Sequence, residues 1–443
     1  MLGVVWLTGC ALKQEPTREE NIRAALPETT QIPGRWTMEE VNTGQVDDGW
    51  IASFGDPELE ALVDEVIAHN LNLQVAGGRV ERAEGTLRLV QAGLLPAVGV
   101  GAEVSGVGGT EINARTTRQA GVAVAWEADV WGRVRSGVAA AQDSLEAARA
   151  DYNAARLSLA GQTAKAWFLA QELRMQVRFA EETVEVLERL TALTRKNFQV
   201  GTLSREDVFL VEANLAAAQD AVRQVRIAET QIQRAVELLL GRYPSASLET
   251  SGTLVATPPP IPVGMPSELL ERRPDLVAAE RRVAASFRLE QQARLARLPR
   301  FTISAGLSGA TSLAGIVGDL AAGLAAPVYA PALSAQIAIA SADQQIALSA
   351  YGAAVLRALE EVETALFNDH IFSEREQFVA AQAESNRRAF EILRKQLETG
   401  KISALPVLQV QAQYVGAQIV LTRLRNQRLA QRVDLHLALG GSF

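Results

Sequence analysis

The chain has 443 residues, with 43 Lys and Arg against 51 Asp and Glu, a formal charge of -8 and an isoelectric point near 5.3; it holds no basic block with interleaved aromatics, which excludes the electrostatic footprint of a nucleic-acid binder. Aromatic residues make up only 5%, and Ala and Leu predominate together with Glu, Gln and Arg, the usage of long helices. The single cysteine excludes an intrachain disulfide, so packing alone must hold the fold.

That cysteine, Cys10, ends the run Leu7-Thr8-Gly9-Cys10 behind an apolar stretch. The run resembles a bacterial lipobox, in which small residues admit a peptidase to the bond before a cysteine that is then lipidated. Residues 1–9 read as a signal-peptide remnant: they hold no Lys or Arg and are too short for a whole one, so the translation start is expected upstream. Residues 10–50, polar and broken by Pro16, Pro27 and Pro33, are expected to form an irregular lipidated tether or wrapping arm rather than a packed element. No later stretch reaches about 18 apolar residues, so a membrane crossing would have to be made by strands.

After Asp56-Pro57 the residues Leu59, Leu62, Val63, Val66 and Ile67 recur at helical spacing. The pattern continues towards Leu94, weakened by Gly77-Gly78 and Gly85, and ends at Pro96. From Ala97 the period becomes two: Val98, Val100, Ala102 and Val104 alternate with small or polar residues, and after a polar turn Val122, Val124 and Trp126 alternate again. This predicts a hairpin over about 97–128 whose strands, roughly ten residues each, match the length that crosses a bilayer at a tilt. Proline-free helical patterns follow over about 133–198, which permits a helix of roughly 100 Å, and over about 205–240. Residues 242–268, with Pro244, Pro258, Pro259, Pro260, Pro262 and Pro266, predict an extended linker. A second hairpin over about 301–327 and long helices over about 333–398 and 405–439 complete the chain.

The two halves, 51–241 and 269–443, repeat one another. At a shift of 199 residues Gly201 matches Gly400, Ser204 matches Ser403, Val208 matches Val407, Leu240 matches Leu439 and Gly241 matches Gly440. Before the hairpins the shift is 203, pairing Arg79 with Arg282 and Pro96 with Pro299. Each repeat therefore reads helix, strand, strand, long helix, turn, helix. Four strands are too few to close a barrel, and open edges in lipid would cost several kcal/mol per unpaired backbone group. Three copies would supply about twelve, an even number inside the range of bacterial barrels.

This order, the lipobox, the stretch from Trp50 to Leu62, the run Ala128-Asp129-Val130-Trp131-Gly132-Arg133 after a strand, and the paired Gly-x-x-Ser turns resemble the outer-membrane efflux protein family, and within it the NodT-type lipoproteins. The resemblance spans essentially the whole chain from Cys10. It implies a trimeric twelve-stranded β-barrel continued by a long α-helical barrel in the periplasm. It further implies a passive exit duct for small molecules, docked to a periplasmic membrane-fusion adaptor and an inner-membrane RND pump. The competing readings are a duct for type I protein secretion and a periplasmic helical scaffold lipoprotein without a pore.

Two turns interrupt the long helical runs: Val200-Gly201-Thr202-Leu203-Ser204 and Thr399-Gly400-Lys401-Ile402-Ser403. Glycine tolerates the left-handed conformation that ends a helix, and serine caps the next helix by accepting from its first-turn amides. In the first copy Ser204 and Asp207 have capping-box spacing. The resemblance implies that these turns are the periplasmic tips that meet the adaptor. The family often closes its periplasmic mouth with acids after the second tip, but here the run is Leu405-Pro406-Val407-Leu408-Gln409. An acidic constriction is therefore not expected; the candidates are Leu405, Leu408 and Gln409, with a hydrophobic gate at Leu405 or Leu408 and helix packing as the competing role of each. Trp126 and Trp131 read either as an interfacial aromatic belt or as buried junction residues. His69, His370 and His436 are scattered at no metal-ligand spacing, and no nucleophile or phosphate-cradling motif is present. No catalysis, cofactor or metal is expected.

Overall fold

The computed structural model describes residues 16–30, 32–38, 44, 46, 48–109, 112–310, 316–399, 401–441 and 443; Cys10 and Gly400 lie outside them. In chain order the elements are α1 (Arg18–Ala25), α2 (Pro57–His69), α3 (Leu71–Ala92), β1 (Ala97–Gly109), β2 (Ile112–Ala128), α4 (Arg133–Gln199), α5 (Arg205–Leu239), α6 (Leu269–Arg272), α7 (Pro274–Leu295), β3 (Arg300–Ala310), β4 (Ile316–Ala325), α8 (Pro331–Glu398) and α9 (Ala404–Ala438). Helices α4 and α8 run for 67 and 68 residues. The chain divides into two compact units, and each draws on both sequence repeats.

The first unit comprises the described part of Met1–Gln31 with Ala76–Tyr152 and Pro274–Leu356. Its sheet is antiparallel in the order β1-β2-β3-β4. The register stacks Val98 on Val124 and Val100 on Val122, then Val122 on Leu307 and Trp126 on Ile303, then Ala305 on Leu320 and Phe301 on Leu324. Because side chains alternate across a strand, these residues share one apolar face, while Glu103, Gln119, Ser304, Thr302 and Asp319 fall on the other. Helix α4 is tied to α3 by Arg149 and Glu84 at 2.8 Å and to α7 by Arg281 and Glu146 at 3.1 Å. Arg297 reaches from the end of α7 to Ser334 on α8 at 3.2 Å.

The segment expected to be an irregular tether carries the helix α1. Thr17 caps it: its hydroxyl accepts from the Glu20 amide while the Glu20 carboxylate accepts from the Thr17 amide. Arg18 then pairs with Glu280 on α7 at 3.0 Å, so the arm is fastened rather than loose. A capping box inside a proline-bounded polar stretch is a local helix signal that hydrophobic periodicity does not register.

The second unit comprises the described part of Ile32–Val75 with Asn153–Arg273 and Arg357–Phe443. Its aromatic knot stacks Trp50 on His436 at 5.5 Å and sets Phe54 against Phe168 at 5.2 Å. Trp36, Val46 and Trp50 are buried, which corrects the expectation of an unpacked tether and agrees with the wrapping-arm alternative. Asp56 caps α2 through the amides of Glu58 and Leu59, and its other oxygen accepts from the Trp167 indole at 2.8 Å. The helical pattern read as continuous from Pro57 towards Leu94 breaks at Asn70, whose side-chain oxygen accepts from the Asn72 and Leu73 amides and restarts the helix as α3. The proline-rich connection is strapped down: Gln171 accepts from the Gly252 amide at 2.6 Å, and Glu237 accepts from the amides of Ala246 and Ser247 at 2.7 Å each.

Candidate functional site

The first turn ends α4 by a Schellman arrangement. The Thr202 amide donates to the Asn197 carbonyl at 3.0 Å and the Gly201 amide to Phe198 at 3.0 Å. Gly201 has φ +84, a left-handed value that side-chain-bearing residues avoid. Ser204 then opens α5 with the expected box: its hydroxyl accepts from the Asp207 amide at 3.2 Å, and the Asp207 carboxylate accepts from the Ser204 amide at 3.0 Å.

The second turn repeats the outgoing half of this geometry, with the Lys401 amide donating to the Gln396 carbonyl at 3.0 Å. It does not repeat the incoming half. Ser403 stands in the capping position but its side chain accepts no capping bond. The residue that corresponds to Asp207 is Pro406, which has no amide to donate. The expectation that both serines cap is thus corrected to Ser204 alone.

One hydrophobic cluster unites the two turns. Leu187 and Leu190 of α4, Val211 of α5, Phe390 and Leu397 of α8, and Ala404, Val407 and Leu408 of α9 form its buried part, and Leu203 and Ile402 from the turns pack onto it. The polar and exposed remainder faces out: Val200 is 72% exposed, and the Arg205 guanidinium lies 5.4 Å over the exposed Phe209 ring. The two turns, each closed by an amide that donates to a carbonyl five residues back, rest on one apolar core and form a double knuckle. The three constriction candidates do not act together here. Leu408 is buried inside the cluster, whereas Leu405 and Gln409, one helical turn apart, are exposed. For Leu408 helix packing is therefore the role the structure supports.

Charge is concentrated between α8 and α9. Burial pushes the Glu376 carboxyl upward, but hydrogen bonds from the Arg428 and Arg425 guanidinium groups outweigh it and hold the group below its usual range. Further along, Arg432, only 2% exposed, donates to Asp369 at 3.0 Å. Arg387 and Arg388 pull the exposed Glu384 down to about 2. Sequence reading missed the buried Arg432 and its pairing with Asp369, because on a helix an Arg facing a neighbour and an Arg facing water have the same spacing signature.

At the strand-to-helix junctions, the Trp126 indole donates to the Leu94 carbonyl at 3.0 Å and the Trp131 indole to Pro299 at 2.8 Å. Both tryptophans are half-buried and pin the end of a helix to a strand, which favours the junction role over the belt. Gly132, at φ +80, turns the chain into α4, and Asp129 accepts from the Val134 and Arg135 amides. Among the described residues no helix is long and apolar enough to cross a membrane, and no group of three or more His, Cys, Asp and Glu could hold a metal ion. His69 is exposed, His370 faces Glu374 at 3.6 Å, and His436 is buried; the three do not converge.

Sequence comparison finds relatives along nearly the whole length. The pyoverdine export outer membrane protein OpmQ of Pseudomonas putida is 31% identical over 436 residues, covering 93% of this chain and 92% of the relative. The cation efflux system protein CusC of Escherichia coli K12 is 26% identical over 463 residues, covering 98% and 97%. Among solved structures, the outer-membrane channel OprN superposes with a TM-score of 0.85 at 24% identity, covering 94% of this chain and 99% of that one. The Campylobacter jejuni CmeC outer membrane channel gives 0.84 at 19%, covering 95% and 92%. The model of the family described as outer membrane efflux protein matches residues 62–242 and 265–441. With that match spanning most of both repeats, the chain belongs to the outer membrane efflux protein family.

Proposed function

We propose that the chain is one protomer of a homotrimeric duct through which small molecules leave the cell across the outer membrane, without chemical change. The carrying observation is the sheet: four strands with one apolar face, interrupted at Arg118 beside Val104 towards the β1–β2 turn, and two open edges. In lipid an unpaired strand edge costs several kcal/mol per backbone group. Twelve strands pooled from three copies remove every edge, and the apolar face then meets the acyl chains. The long helices continue this wall as a periplasmic tube, and Cys10 adds a lipid anchor.

The double knuckle of residues 200–204 and 399–403 is the surface offered to a periplasmic adaptor, through which an inner-membrane RND pump delivers cargo. Relatives named for export of pyoverdine and of cations support small cargo rather than folded protein. The test is electrical and hydrodynamic. Detergent-purified protein should have the protein mass of three chains and insert into planar bilayers as discrete conducting units. A monomer without conductance would overturn the reading.

A further inference from the structure

In the first unit the helices keep the order of the strands they adjoin: α3 leads into β1, β2 into α4, α7 into β3 and β4 into α8. Side-chain contacts link α3 to α4, α4 to α7 and α7 to α8. Helices α3 and α8 therefore flank this row as β1 and β4 flank the sheet. We propose that α3 of one copy packs antiparallel against α8 of the next, with Arg82 meeting Asp343 in the middle of the seam; this rests on the trimeric reading above.

The two faces match in shape. On α3, Gly78, Arg82, Gly85 and Leu89 recur every three or four residues and so share a stripe. Leu89 is 75% exposed, and a Cβ built on either glycine meets nothing within 4 Å. On α8 the corresponding stripe is Ala335, Ile339, Asp343 and Ile346, with the two isoleucines 61% and 65% exposed. Depth below the sheet follows from position in the helix. Leu89, Gly85, Arg82 and Gly78 lie 3, 7, 10 and 14 residues before Ala92, the last residue of α3, and Ala335, Ile339, Asp343 and Ile346 lie 4, 8, 12 and 15 residues after Pro331, the first of α8. At about 1.5 Å per residue each pair falls at one level to within about 3 Å. Leu89 then covers Ala335, Ile339 enters the gap at Gly85, and Ile346 enters the gap at Gly78. Large meets small at every step, the requirement for close helix packing. The glycines that weaken α3 as an isolated helix become the holes of an interface.

Charge fixes the register. Asp343 is the only charged residue between Pro331 and Leu356. Among the described residues neither its carboxylate nor the Arg82 guanidinium has a partner, and both side chains are exposed. A lone acid on an apolar, small-residue face resists burial unless a cation arrives with the covering surface. Arg82 supplies that cation at the same level, and a slip by one heptad would leave both charges unpaired.

Disulfide trapping in the full-length chain, in isolated membranes, tests the seam. The pair Gly85→Cys with Ile339→Cys is in register, and Gly78→Cys with Ile339→Cys is seven residues out; each single variant controls for Cys10. Oxidation should convert the in-register pair to covalent dimers and trimers on a denaturing gel and leave the other variants monomeric. Equal cross-linking by both pairs, or none by the in-register pair, overturns the seam. Native mass of the same samples separates the two levels: a trimer without the cross-link sinks only the seam, whereas a monomer sinks the trimeric reading itself. A second series guards against misfolded cysteine variants. Arg82→Asp and Asp343→Arg should each lose the detergent-stable trimer and the double variant should regain it; absence of rescue overturns the pairing.

Discussion

Asn70 and Arg273 hold the same post in the two repeats although they share no chemistry beyond a side-chain N–H. Each immediately precedes a 22-residue helix, and these helices begin 203 residues apart at Leu71 and Pro274. Asn70 donates to the Leu239 carbonyl at 2.9 Å, and Arg273 donates to the Ala438 carbonyl at 3.2 Å. The acceptors are themselves equivalent, being the last residues of α5 and α9. Two residues beyond each acceptor stands a left-handed glycine, Gly241 or Gly440, whose missing Cβ would press on the backbone just before the donor, His69 or Arg272. The duplication thus preserves a joint in which one helix end is bolted to the start of another.

Replacing Asn70 by Ala removes both the bolt and the cap of α3. The Leu239 carbonyl loses a donor and two first-turn amides lose their acceptor. The expected cost is about 1–3 kcal/mol, seen as a lower midpoint in thermal unfolding followed by circular dichroism in detergent. Asn70→Asp should fall between, since it keeps the cap and loses the donor. A midpoint for Asn70→Ala equal to that of the unaltered protein would show that the joint bears no strain in folding.

That joint also marks where sequence reading stops. The hairpins and the long helices were legible because period two and period 3.6 differ sharply over ten residues or more, and because a shift of 199 reproduced Gly201, Ser204 and Gly241 in the second half. The break at Asn70 was not, since the apolar residues on either side keep helical spacing and only a side-chain cap divides them. The same blindness hid α1, held by a local box, and the Arg432–Asp369 pair, whose partners lie 63 positions apart. Among the candidate tip and constriction residues, the turn at Gly201 and Ser204 was readable from its glycine and serine, but which of Leu405 and Leu408 faces inward depends on helices that packing alone brings together.

The two tip serines should respond differently to the same substitution. Ser204→Ala removes a capping box and should destabilise the start of α5 by about 1 kcal/mol, raising amide exchange across Arg205 to Val208. Ser403→Ala should leave exchange at the start of α9 unchanged, because Pro406 offers no amide to cap. Pro406→Ala restores that amide and should make Ser403 matter. Equal responses in the two copies would refute the assignment.

At Gly201 a proline cannot reach φ +84, since its ring holds φ near -65°. Gly201→Pro should distort the tip while leaving the strands, far away in sequence, to assemble. The expected phenotype is loss of efflux with trimers still present in the outer membrane, read by a dye-accumulation assay beside native electrophoresis. Full efflux in this variant would show that the adaptor does not read the turn.

Acid should loosen the aromatic knot. Burial first, and then the charge of Arg432, push His436 down to about 4, and neither ring nitrogen has a hydrogen-bond partner among the described residues. The unfolded chain titrates near 6.5 and so binds the proton more tightly than the folded one. The stability held by neutral His436 is therefore complete above about pH 6.5 and declines as pH falls towards 4, by roughly 3 kcal/mol at most. Thermal midpoints measured across that window should fall for the unaltered protein and fall less for His436→Phe, which keeps the stack on Trp50. Parallel slopes for the two proteins would remove His436 as the cause.

Leu405 and Leu408 separate packing from gating. Leu408 sits in the cluster beneath both tips, so Leu408→Ala opens a cavity among Leu187, Phe390 and Val407 and should cost about 2–5 kcal/mol. Leu405 is 45% exposed in the protomer, and Leu405→Ala should leave stability nearly unchanged. If the exposed leucine narrows the periplasmic mouth, Leu405→Ala should raise single-channel conductance, and Leu405→Asp should add cation selectivity by putting three carboxylates around one opening. Conductance and selectivity that match the unaltered channel in both variants would assign Leu405 to the outer surface of the tube, leaving the narrowing to backbone and small side chains at the helix ends.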